Sequence, residues 1–141
     1  MPSKLGRCQR CYRAAVTGAI AGWLAAALTR AVLPDSPAPV LVAAIAIAFT
    51  ILALANEGDE VLYPDPGFPM YESITSFTGA VPVPVPLRER NGFRIDTDEL
   101  EQLITDRSRL LIINSPHNPC GSALTREDCE AIAAIALRHD L

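Results

Sequence analysis

The chain has 141 residues, of which 50% are hydrophobic and 20% charged, and its net charge is −4. That length suits one domain with a real core. The acidic balance excludes nucleic acid as a partner, because phosphate binding wants a basic surface.

The charge is unevenly spread. Residues 1–56 carry Lys4, Arg7, Arg10, Arg13 and Arg30 against Asp35, whereas 57–141 carry seven arginines against fifteen acids. Two apolar stretches fall in the first part, "AAVTGAIAGWLAAAL" (14–28) and "VLVAAIAIAFTILALA" (40–55). Basic residues precede the first, as in a signal peptide or an anchor. Both are shorter than the ~20 residues that span a bilayer and rich in alanine, which weighs against a membrane role. A buried helix is expected for 40–55, and no motif is legible in 1–37. Cys8 and Cys11 form a lone CxxC, with Cys120 and Cys129 far away. A zinc site needs four ligands, so free thiols are expected and no metal.

From residue 57 the pattern alternates between strand and helix. "EVLYP" (60–64) reads as a short strand, and "YESITSFTG" (71–79) has helical length with Gly79 placed to end it. "AVPVPVPL" (80–87) is extended, and its prolines exclude it from the middle of a sheet. "IDTDELEQLI" (95–104) opens a helix with Asp96 as N-cap and Glu99 three residues on, a capping-box pattern. "RLLIIN" (109–114) is an unbroken apolar run, as in a strand buried on both faces. "LTREDCEAIAAIALRHD" (124–140) is a further helix, capped by Thr125 with Asp128, whose buried face is expected to hold Cys129, Ile132, Ala133 and Ala136. Strands alternating with helices imply an α/β fold with parallel pairing, in which ligands bind beyond the carboxyl ends of the strands.

Two proline-framed loops sit at such ends. "NSPHNPCG" (114–121) follows the third strand, and its prolines hold Ser115 and Asn118 stiffly. The Asn118 amide is then a fixed donor, suited to a ligand oxygen that carries negative charge; the alternative is an asparagine that caps its own loop. His117 has no second ligand at metal spacing and is expected to be an exposed loop histidine. "YPDPGFPMYE" (63–72) follows the first strand and projects Phe68 and Tyr71. An aromatic there can stack on a flat heteroaromatic ligand or cover the core edge. A ring on one rigid loop and an amide on the other favour a site for a planar cofactor.

"NEGDEVLYPDPGFPMYES", "GFRIDTDELEQLITDRSRLLIINSPHNPCG" and "LTREDCEAIAAIALRHDL" resemble, in unbroken order, the class I/II aminotransferases of the aspartate aminotransferase fold, which are pyridoxal-phosphate enzymes. The resemblance covers about residues 50–141. It implies part of the three-layer α/β/α large domain of a fold-type-I transferase, with a mostly parallel sheet. It implies amino-group transfer between an amino acid and a 2-oxo acid, a cytoplasmic location and, in intact relatives, a homodimer. Asn118 matches the asparagine that hydrogen-bonds the phenolic oxygen of pyridoxal 5'-phosphate, and Phe68 the aromatic that stacks on its pyridine ring. Tyr71 is expected to support the loop, and Cys120 replaces a threonine of the family's Asn-Pro-Thr-Gly motif.

The departures from the family are as informative. The family's cofactor-bearing lysine lies well downstream of the Asn-Pro loop, and the one lysine here is Lys4. The acid that pairs with the pyridinium nitrogen and the arginine that grips the substrate carboxylate have no counterpart either. Where the family has a Gly- or Ser-containing phosphate loop, residues 41–49 read "LVAAIAIAF". The chain is therefore expected to be inactive alone and to divide into an atypical Ala-rich segment, 1–49, and a partial large domain, 50–141. The hypothesis for 1–49 is a shifted reading frame, with an early stop downstream. It fails if neither other frame of the coding DNA yields a Gly-containing phosphate loop before Phe49. The alternative is a membrane-associated chain, anchored through 14–55, that carries a noncatalytic α/β interaction module.

Overall fold

A computed structural model describes residues 9–32 and 37–141. They form two compact units, divided between Leu54 and Ala55. Cys8 of the CxxC lies outside the described residues.

The first unit is a pair of helices, α1 (Gln9–Val32) and α2 (Ala38–Leu54). Gly22 lets them approach closely: a Cβ there would lie 3.0 Å from the Ala46 Cβ. Trp23 Nε1–H donates to Thr50 Oγ1 at 3.2 Å. The expectation of a buried helix over 40–55 is corrected in part, because α2 is one-sided. Ala44, Ala46, Ile51 and Ala53 are buried, whereas Leu41, Ile45, Phe49 and Leu54 are exposed. Among the described residues no helix is long and apolar enough to cross a membrane, so the anchor considered for 14–55 gains no support.

The second unit is built on strands β1 (Glu60–Asp65), β2 (Val81–Pro86) and β3 (Ser108–Leu111). They form one parallel sheet in the order β2-β1-β3. Helix α3 (Met70–Phe77) joins β1 to β2, α4 (Thr97–Leu103) lies between β2 and β3, and α5 (Arg126–His139) follows β3. The α/β reading and the parallel pairing are thus present. The strand buried on both faces is β1, whose residues are buried from Glu60 to Pro64. The expectation placed that role on 109–114. In β3 only Ser108 is buried and Arg109 to Leu111 are half-buried, because β3 lies at the sheet edge.

The prolines fit this order through the parity of the strands. Val81 N–H donates to the Asp59 carbonyl (2.8 Å) and Leu87 N–H to the Asp65 carbonyl (2.7 Å), so the odd residues of β2 face β1. Pro82, Pro84 and Pro86 turn their nitrogen atoms to the open edge, where a missing N–H costs no ladder bond. Pro64 is tolerated in the central strand for a related reason. The even residues of β1 face β3: Glu60 N–H donates to the Arg107 carbonyl and Ile112 N–H to the Leu62 carbonyl, both at 2.8 Å. The rung that Pro64 cannot donate is the one at which β3 leaves the sheet, and the loop beginning near Asn114 starts there.

The main core contains Leu62, Val85, Leu87, Ile95, Leu100, Ile132 and Ile135, all buried. The face of α5 therefore runs through Ile132 and Ile135; Cys129 and Ala133, expected on it, are exposed. The caps obey local rules. Thr125 and Asp128 form a full capping box, Thr125 N–H to Asp128 Oδ2 at 2.9 Å and Asp128 N–H to Thr125 Oγ1 at 3.1 Å. Asp96 Oδ1 accepts from Asp98 N–H and Glu99 N–H. The return arm expected from Glu99 is not made, because that carboxylate instead takes Arg88 at 2.5 Å. Gly79 ends α3 at φ +83° as expected.

At the amino-terminal end of β1 the Glu60 carboxylate is buried. It accepts from Thr105 Oγ1 (2.5 Å), Arg107 (2.6 Å) and Ser108 Oγ (3.0 Å). Burial alone would raise its pKa; the three donors and the guanidinium charge outweigh that and hold it below the ordinary value.

Candidate functional site

Because β1 and β3 are adjacent and parallel, their carboxyl ends open on the same edge of the sheet. The loop after β1 carries Phe68 and the loop after β3 carries Asn118.

The first loop bends at Gly67, where a Cβ would lie 2.0 Å from the Pro64 carbonyl oxygen; only glycine fits. Phe68 follows, half-buried. Its ring meets that of Tyr71 edge to face, with centroids 5.8 Å apart and planes at 76°. Tyr71 N–H donates to the Phe68 carbonyl at 3.0 Å. The support expected from Tyr71 is therefore a direct contact. Burial raises the Tyr71 pKa, so its phenol stays protonated at neutral pH.

The second loop closes on itself. His117 N–H donates to the Ser122 carbonyl (2.7 Å) and Gly121 N–H to the His117 carbonyl (2.6 Å). Gly121, at φ +73°, supplies the left-handed turn. Leu124 N–H donates to Ser115 Oγ at 3.0 Å, and Ser122 Oγ–H to the Phe93 carbonyl at 2.8 Å. Asn118 stands exposed on this frame, and no side-chain hydrogen bond to its amide is found among the described residues. Cys120 is a half-buried free thiol and Cys129 an exposed one. Among the described residues no cluster of side chains could hold a metal ion.

His117 corrects the sequence expectation. It is buried rather than exposed, and its Nε2 lies 2.7 Å from the Pro66 carbonyl oxygen. A carbonyl only accepts, so Nε2 carries the proton. Spacing along the chain gave no sign of this residue. The available signal was the first loop itself, where Pro64, Pro66 and Pro69 leave carbonyls with few N–H groups near them.

A small cavity of about 10 Å3 lies between the loops' bases, with Pro64, Phe93, Asn114, His117 and Ser122 among its walls. That is roughly the space of one water, far below what a ring-sized ligand needs. Neither Phe68 nor Asn118 lines it, so a ligand held by those two would sit on the outer side of the loops.

A parallel α/β sheet with two rigid loops at its carboxyl edge belongs to the group of folds that bind a cofactor there. The family model for aminotransferase class I and II matches residues 14–141, reaching further upstream than the fading expected near residue 50. Over 96 residues the chain is 44% identical to an arginine–pyruvate transaminase of Pseudomonas aeruginosa, covering 68% of this chain and 24% of that protein. Over 109 residues it is 43% identical to an aspartate aminotransferase of Pyrococcus abyssi, covering 77% and 28%. The solved aromatic aminotransferase of Pyrococcus horikoshii superposes with a TM-score of 0.68 at 43% identity, covering 70% of this chain and 26% of that one. The chain belongs to the class I and II aminotransferases and has part of the aspartate aminotransferase fold. It spans about a quarter of the length of these relatives.

The family depends on pyridoxal phosphate. Such a ligand needs a flat apolar surface for its ring and a donor for its phenolic oxygen. Phe68 offers a half-buried ring and Asn118 an exposed amide that no described residue bonds, which are groups of those two kinds.

Proposed function

We propose that residues 50–141 supply part of the cofactor site of an enzyme that moves an amino group between an amino acid and a 2-oxo acid. Phe68 is the ring that stacks on pyridoxal phosphate and Asn118 the amide that donates to its phenolic oxygen. When bound, pyridoxal phosphate supplies the electron sink for the transfer. Phe68 shields the ring from water, and Tyr71, edge-on against it, holds Phe68 in place. The Asn118 N–H stabilises negative charge on the oxygen it faces. The observation that carries the reading is the delivery of both loops to one sheet edge, with His117 of one bonded to Pro66 of the other.

The proposal extends to a cytoplasmic homodimer and to a division into an atypical Ala-rich segment, 1–49, and a partial large domain, 50–141. With Lys4 as its one lysine, the chain alone is expected to give no turnover of amino acid with 2-oxo acid.

The test is amide hydrogen exchange of the 141-residue chain with and without millimolar pyridoxal phosphate. Protection is expected at Phe68, Tyr71 and Gly121, and is lost in Phe68→Ala and in Asn118→Ala. Protection confined to other parts of the chain, or unchanged by both substitutions, refutes the assignment.

A further inference from the structure

We propose that His117 is a positioning residue: one hydrogen bond from its imidazole to the Pro66 carbonyl sets the spacing between the Phe68 ring and the Asn118 amide. The inference rests on the cofactor reading for its purpose, but the tie itself stands on geometry alone.

Each loop is closed by its own local bonds. Tyr71 N–H holds the Phe68 carbonyl in the first, and the His117–Ser122 and Gly121–His117 pairs close the second. Those closures fix the shape of each loop and say nothing about their separation. Among the described residues, the His117–Pro66 bond is the one hydrogen bond that crosses from 64–69 to 114–122, and it joins positions 51 residues apart. It acts close to both functional groups: His117 immediately precedes Asn118, and Pro66 lies two residues before Phe68. A shift of either loop is passed to the other through this contact.

The chemistry of the contact makes it firm. His117 is 6% exposed, so water competes little for its N–H. An imidazole N–H left unmet at that burial would carry its full desolvation cost. Pro66 has no N–H, and its carbonyl belongs to a loop short of donors. A side-chain donor from the neighbouring loop meets that carbonyl. The bond also requires the proton on Nε2, since the carbonyl can only accept.

The residue types that could replace it follow from the same geometry. A phenylalanine keeps the buried volume and loses the donor. A glutamine retains an N–H at similar reach.

The experiment is residue-resolved hydrogen exchange and imidazole 15N spectroscopy on the full chain, as wild type, His117→Phe and His117→Gln. His139 is the other histidine, and His139→Gln assigns the signals. In His117→Phe the Tyr71 amide, on the opposite loop, is expected to exchange about fivefold faster, the usual worth of one net hydrogen bond. The core amide of Leu100 is expected to be unchanged, and His117→Gln to restore the slow rate at Tyr71. The wild-type imidazole should show a protonated Nε2.

Unchanged exchange at Tyr71 in His117→Phe overturns the proposal. So does equal acceleration at Tyr71 and Leu100, which marks a general loss of stability. If His117→Phe does not fold, the wild-type imidazole and the Gln variant decide: an unprotonated Nε2, or fast Tyr71 exchange in His117→Gln, overturns it. Pyridoxal phosphate added to the wild type keeps the two readings apart. If it protects neither loop while the exchange coupling persists, the cofactor reading falls and the tie between the loops stands.

Discussion

Replacing Glu60 by glutamine tests whether the polar cluster at the foot of β1 is a stabilising unit. Wild-type Glu60 offers two acceptor oxygens to donors from Thr105, Arg107 and Ser108. Glutamine keeps the shape but turns one of those oxygens into an NH2 group, so a donor faces a donor. The Arg107 side chain is 67% exposed and can turn to water, so losing its pairing costs little. Ser108 is 1% exposed and cannot. Thr105 and Ser108 share Oε2 and Arg107 alone takes Oε1, so the amide keeps its oxygen on the two hydroxyls and turns its NH2 to Arg107. Two bonds to a charged acceptor become bonds to a neutral one, at about 1–2 kcal/mol together, which for a unit of this size lowers Tm by about 5–15 °C.

The pH dependence follows from the depressed carboxyl. A group whose folded pKa lies below its unfolded value adds stability above the unfolded value, near 4.5, and loses it as pH falls through the folded one. The difference between wild type and Glu60→Gln should be full at pH 7 and shrink below pH 4.5. Urea unfolding followed by circular dichroism at pH 7 and at pH 3 measures it. A difference under about 0.5 kcal/mol at pH 7, or one that is the same at both pH values, refutes the account; that figure is the usual span of a neutral surface substitution.

Two further outcomes are expected. Leu100→Ala empties a fully buried position in the core cluster and should cost about 2–5 kcal/mol in urea unfolding, with the m-value unchanged. Gly67→Ala forces a Cβ against the Pro64 carbonyl; exchange of the Phe68 and Tyr71 amides should rise well before the β1 amides respond, and an unchanged loop would show that the bend relaxes freely.

Much of the second unit was legible because local rules and the global fold agree there. The Thr125–Asp128 box, Gly79 as a helix stop and the Val-Pro alternation of 81–86 all mean in three dimensions what they mean in the sequence. The failures have a common physical origin. Periodicity shows which residues of a helix share a face but not which face meets the sheet, and small side chains such as Cys129 and Ala133 carry too little area to decide it. Ile132 and Ile135 decide it. A short apolar run does not reveal whether neighbours flank it, so the central role fell to 109–114 rather than to "EVLYP". The burial of His117 depends on a carbonyl 51 residues away, which no local window contains. For Phe68 and Asn118, the sequence located both loops, and adjacent parallel strands account for their sharing one edge.

The Val-Pro alternation has an outcome for chain-to-chain encounters. A foreign strand laid along the outer side of β2 could give its N–H groups to the carbonyls of residues 82, 84 and 86 but would receive none back. Half of the rungs that make strand addition worthwhile would be missing, at about 1 kcal/mol each. Extension of the sheet on that flank is thus disfavoured by covalent structure rather than by charge. The β3 flank keeps both donors and acceptors and is the better template for growth.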